Sequence, residues 1–156
     1  MSTRVESEIY KIDSPVGDVY AVLSDFKKIG SLFNMAKQMN IGNNDERLAK
    51  AKEYIEDVCF EEDVCYLTVK KIGQVEIKVV EREEPKLVKL EANIPFYFNL
   101  WIQLLSKGAY DTRVKLTFDG DLNMMMKMLI KGKLKKGLDQ FAEGMTRIPF
   151  SMIKNM

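Results

Sequence analysis

The chain has 156 residues, 46% of them apolar and 30% charged, the make-up of an ordinary globular domain. With 24 basic and 23 acidic residues the net charge is +1, which gives no global field for nucleic acid. Histidine is absent, so the commonest general base and transition-metal ligand are missing, and the two cysteines alone do not complete a zinc site.

The length predicts one domain over 1–156, large enough to bury about two-thirds of its unfolded surface. Residues 4–12 alternate in part, with Val5, Ser7 and Ile9 against Glu6, Glu8 and Tyr10, and predict a first strand. Ser14 and Pro15 then read as the N-cap and first position of a helix whose inner stripe is Val16, Val19, Tyr20 and Leu23. A second short helix restarts at Ser24 and Asp25, with Phe26, Ile29, Gly30 and Phe33 on its buried face. A loop over 39–44 leads to a third helix over 45–55, capped by Asn44 and rich in helix formers.

Strands follow at 58–60, 65–70, 75–81, 87–92, 96–105 and 113–120, separated by short acidic or glycine-bearing breaks that suit hairpins. Consecutive strands make an antiparallel meander the economical arrangement. Phe96, Phe98, Leu100, Ile102 and Leu104 share one face, while Trp101 falls on the other. Apolar residues then recur in steps of three and four from Met126 through Leu129, Ile130, Leu134, Leu138, Phe141, Ala142, Met145 and Ile148. They predict a long helix over roughly 123–154, with Gly132 and Gly137 inviting a bend.

This order resembles the START-like, or SRPBCC, superfamily, which includes polyketide cyclases, lipid-transfer proteins and plant pollen allergens. The likeness is carried by Ser14-Pro15-Val16 through Val19, Leu23 and Asp25-Phe26, and by the closing Leu134-Lys135-Lys136-Gly137-Leu138-Asp139-Gln140-Phe141-Ala142. It spans essentially the whole chain, and its motifs are structural rather than catalytic. The resemblance implies an α+β helix-grip fold: a curved antiparallel sheet of about seven strands around a long C-terminal helix, with two short helices after strand 1 and an extra helix near 45–55. It also implies a cavity between sheet and helix for an apolar ligand, lined by Phe33, Leu67, Val79, Phe96, Phe98, Leu100, Met125, Met126, Leu129 and Phe141.

The Met124–Met128 cluster suits an adaptable apolar surface, though for any single methionine, filling an irregular helix-on-sheet core is the favoured reading. Acidic runs at 61–63 and 81–84 read as solvated hairpin tips, and Asp111, Arg113, Lys115 and Asp119 as exposed cross-strand charges. No inward-facing acid has a partner, so no catalytic residue, metal or cofactor is assigned. Cys59 and Cys65 flank a turn and read as two buried, reduced thiols, a disulfide requiring that the flanking strands pair there. The start of the chain lacks the apolar core of a signal peptide and no run reaches the ~18–20 apolar residues that cross a bilayer, so a cytoplasmic protein is expected.

The expected function is binding or carriage of a small hydrophobic molecule. The alternatives are a cyclase- or dehydratase-like enzyme on an apolar substrate, and a protein-interaction module of the chaperone-activator type. Nucleic acid is not an expected partner. A weak membrane-surface contact through Lys127, Lys131 and Lys135 is a further expectation.

Overall fold

The computed structural model describes residues 2–38, 55–70, 73–93 and 96–155, excepting the side chains of 33–38, 55, 69, 126 and 129–131. The expected helix over 45–55 lies outside them save for Ile55, which begins a strand. Eight strands form one sheet: β1 (Thr3–Glu6), β2 (Tyr10–Ile12), β3 (Ile55–Phe60), β4 (Val64–Val69), β5 (Gly73–Glu83), β6 (Leu87–Ala92), β7 (Phe98–Gly108) and β8 (Asp111–Gly120). The order is β1-β8-β7-β6-β5-β4-β3, every pair antiparallel, with β2 also on β8. The meander of six strands is therefore as expected.

The first strand differs from expectation because it breaks in two. Ser7 bonds Leu116 through both its N–H and its hydroxyl, and pairing resumes at Tyr10 opposite Val114, one residue out of step. The extra residue swings Glu8 and Ile9 outward and keeps Val5, Ser7 and Ile12 on the inner face.

Helix α1 (Val16–Leu23) buries Val19, Tyr20, Val22 and Leu23 against the sheet. Its N-cap is Pro15 rather than Ser14, with no side-chain cap; the Ser14 carbonyl instead accepts a 2.8 Å bond from the Thr112 hydroxyl. Helix α2 (Phe26–Gln38) starts where the Asp25 carboxylate accepts the Lys27 N–H at 2.9 Å.

The long helix runs unbroken through Gly132 and Gly137 as α3 (Met124–Met145), 22 residues or about 33 Å. It stops before the expected end because Pro149, lacking an N–H, interrupts the helix. A one-turn helix, α4 (Phe150–Ile153), follows. Phe150 and Ile153 have no exposed surface and pack with α1 and α2 in the main core. Helix α3 lies along β1, β2 and β8, with Ala142 and Met145 buried and Leu134 and Leu138 half-buried.

Candidate functional site

The register fixes which side chains face the helices. Val114, Leu116 and Phe118 of β8 stand opposite Leu104, Ile102 and Leu100 of β7, and Ile102, Leu100 and Phe98 of β7 stand opposite Val88, Leu90 and Ala92 of β6. The same face continues through Ile77 and Val79, Cys65 and Leu67, and Val58 and Phe60. At all of these positions the face is apolar, and its coverage is graded. On β8 all three apolar positions are buried, whereas Leu67, Ile77, Val79, Val58 and Phe60 are only half-buried.

A second cluster closes the end of the sheet where α3 begins. The rings of Phe96, Phe98 and Phe118 lie with centroids 5.3 to 6.4 Å apart, joined by Val5, Leu122, Leu134 and Leu138. Backbone and rings are so close at Gly120 that a Cβ there would lie 2.7 Å from Phe118 and 2.9 Å from Phe98. Leu100 and Leu138 touch both clusters.

Of the residues expected around a ligand, Leu67 and Val79 join the main core, and Phe96, Phe98 and Leu100 the aromatic cluster, all half-buried on the inner side. Phe33 lies on α2 and Met126 and Leu129 on α3, with side chains outside the described set. Two expectations are corrected. Met125 is 73% exposed and Phe141 58% exposed, so neither is packed around an enclosed molecule. The buried stripe of α3 runs through Leu134, Leu138, Ala142 and Met145; Phe141 falls about 100° off Ala142, and Met125 precedes the stripe.

Polar groups fasten the helices over this surface. At the β1–β2 break the Glu8 N–H donates to Asp139 at 2.7 Å, and Lys135 bridges Asp139 and Glu8 at 3.1 Å each. Burial pushes the Asp139 carboxyl up, but the Glu8 N–H, Lys135 and the Tyr10 hydroxyl outweigh it and hold the carboxyl below the usual range. Burial and the Asp139 charge push the Tyr10 phenol up. Between α4 and α1, Lys154 and Ser151 donate to Asp18 at 2.8 and 3.1 Å and keep its carboxyl low. Glu6 and Asp111 are likewise lowered, beside Lys115 and Arg113. These carboxyls are held ionised, and a general acid needs the opposite shift.

One polar feature escapes the sequence. A bulge between Val79 and Glu81 shifts the alternation of β5, so that Arg82 pairs opposite the inward-facing Val88. Its guanidinium donates to the Ser24 carbonyl at 2.8 and 3.1 Å and to Asp63 at 2.6 Å. It lies in a hollow of about 430 Å³ with Tyr20, Asp25, Lys28, Glu62 and Glu84. Period-2 reading gives no signal for it, because the bulge has no fixed residue type. Trp101 is on the outer face as expected, with Lys89 5.3 Å from its ring centre. Among the described residues no group of acidic and cysteine side chains is arranged to hold a metal, and no helix is long and apolar enough to cross a membrane.

A long helix laid on one face of an antiparallel meander, with two helices inserted after the first edge strands, is the helix-grip fold of START-like proteins. Solved structures bear out that likeness of fold. Norcoclaurine synthase from Thalictrum flavum, determined in complex with dopamine and hydroxybenzaldehyde, superposes with a TM-score of 0.66 at 11% identity, covering 94% of this chain and 86% of that one. A protein from Mesorhizobium loti gives 0.58 at 14% identity over 94% and 95% of the chains, and one from Thermobifida fusca 0.55 at 10% over 96% and 94%. No protein-family model matches the sequence. No curated protein matches it either.

Proposed function

We propose that this protein is a cytoplasmic binding or carrier protein for a small, hydrophobic, lipid-like molecule held between the sheet and its helices. The observation that carries the reading is the graded cover of the inner face. Leu67, Ile77, Val79, Phe98 and Leu100 are only partly buried on this apolar surface, while the same face of β8 is sealed. Apolar area left open in a fold able to close over it is area a ligand can take from water. Covering on the order of 300 Å² at about 25 cal/mol per Å² gives about 7 kcal/mol before ordering costs, so micromolar is the upper limit of the affinity this area alone supports. The fold it shares with norcoclaurine synthase, crystallised with two small aromatic molecules, fits that reading.

Native mass spectrometry of protein purified from its own host, followed by organic extraction, tests it. A stoichiometric apolar adduct is expected, and Leu67→Trp should displace it by filling the open surface. A bare mass that persists after incubation with host lipid extract would overturn the reading.

A further inference from the structure

Among the described residues, the first turns of α3 carry the most exposed apolar side chains. Met124, Met125 and Met128 are 81%, 73% and 83% exposed. The segment 124–138 also carries five lysines and no carboxylate. Of the lysines expected at a membrane surface, Lys135 is engaged by Glu8 and Asp139, and the Lys131 side chain lies outside the described residues. Lys127, Lys133 and Lys136 are exposed, and among the described residues none has an ion-pair partner.

At 100° per residue the three methionines span about 100° of the helix circumference, with Lys127 on one flank and Lys136 and Lys133 on the other. Tyr97, 40% exposed, is held at the same end of the molecule by the bond from the Asp121 N–H to its carbonyl, 3.0 Å. Antiparallel order puts the acidic turns at the opposite end: Glu61, Glu62 and Asp63 between β3 and β4, and Glu83 and Glu84 between β5 and β6, all exposed. The net charge of +1 therefore hides a local excess of lysine over carboxylate on the methionine-bearing first half of α3, remote from these acidic turns.

We propose that the basic end docks on an anionic lipid surface. The methionine side chains enter the boundary between headgroups and acyl chains, and the flanking lysines extend to the headgroups. Lysines alone would equally suit an RNA or an acidic protein. Three solvent-facing thioethers between them, and a tyrosine alongside, recover their apolar area only in a medium that accepts them at no fixed shape, which a bilayer provides. This inference stands on α3 and does not depend on a ligand in the core.

The test is co-sedimentation of the full chain with phosphatidylcholine vesicles, with and without phosphatidylserine. Binding is expected only with phosphatidylserine, weakening as salt rises. Joint Lys127→Gln, Lys133→Gln and Lys136→Gln should reduce it about a hundredfold, three basic residues each losing their attraction to the surface. Joint Met124→Ser, Met125→Ser and Met128→Ser should reduce it about tenfold or more. Glu61→Gln with Glu62→Gln, at the far end, should not weaken it. Circular dichroism and thermal melts confirm that each variant is folded. The proposal fails if phosphatidylserine makes no difference, if both variant sets bind like the parent, or if RNA is retained through the same lysines while vesicles are not.

Discussion

Cys59 and Cys65 flank one turn, and the two strands pair as a disulfide would require, yet the side chains lie on opposite faces. Cys59 is opposite Tyr66 on the outer face and Cys65 opposite Phe60 on the inner one. Burial, with the neighbouring Cys59 adding to it, pushes the Cys65 thiol up to about 11, and the residue is 4% exposed, whereas Cys59 is exposed. Only the thiolate attacks alkylating reagents. Near pH 8 the native chain should consume one equivalent of iodoacetamide, at Cys59, and a second only on denaturation. Two equivalents in the native state would show that the inner face opens. The expectation of two buried thiols is thus half right, because a strand sequence shows that neighbours alternate but not which face is the core. The same gap explains Arg82, which one unpaired residue turned inward, and Phe141, which falls at the rim of the buried stripe of α3 and is exposed.

At the scale of elements, the sequence was most readable where a pattern is long and regular. The six strands of the meander and both helices after the first edge emerge from alternation, turns and capping. Breaks were harder: the β1–β2 kink depends on Ser7 bonding Leu116 twice, and the end of α3 depends on Pro149. Gly132 and Gly137 were expected to bend the long helix, but α3 passes through both, and a Cβ at either would meet nothing within 4 Å. Glycine in a helix interior costs up to about 1 kcal/mol against alanine. Gly132→Ala and Gly137→Ala should each raise the urea unfolding free energy by about 0.5–1 kcal/mol. A fall instead would mean that the helix departs from this course in solution.

For the whole molecule, the ties of α3 to the β1–β2 break and of α4 to α1 are both ionic. Asp139 and Asp18 both have carboxyls lowered in the folded state, so they bind protons less readily there than in the unfolded chain. Their stabilisation is complete above the ordinary aspartate range, about 3.9, and is lost as pH falls through the lowered folded values. Thermal midpoints should therefore drop as pH is taken below about 4, and Asp18→Asn with Asp139→Asn should flatten that slope while lowering the midpoint at neutral pH. A slope the double variant leaves unchanged would place the acid sensitivity elsewhere. Fold class was legible in the sequence because it is written in the order of elements. The state of the inner surface was not, since half-coverage depends on how far each helix reaches across the sheet.

The packing of α4 sets the order in which this chain can become a protein. Phe150 and Ile153 complete the core that α1 begins, and β8 must arrive before β1 and β2 have a partner. The edge strands β1 and β2 have no partner until residues a hundred or more positions later in the chain are in place. Contacts of such separation are slow to form, because a long loop has to close before any of them is gained. During synthesis the meander can assemble ahead of the rest, and its inner face stays bare until the helices close over it. The surface that the mature fold leaves half-covered is thus, for the nascent chain, the stretch most in need of protection from aggregation.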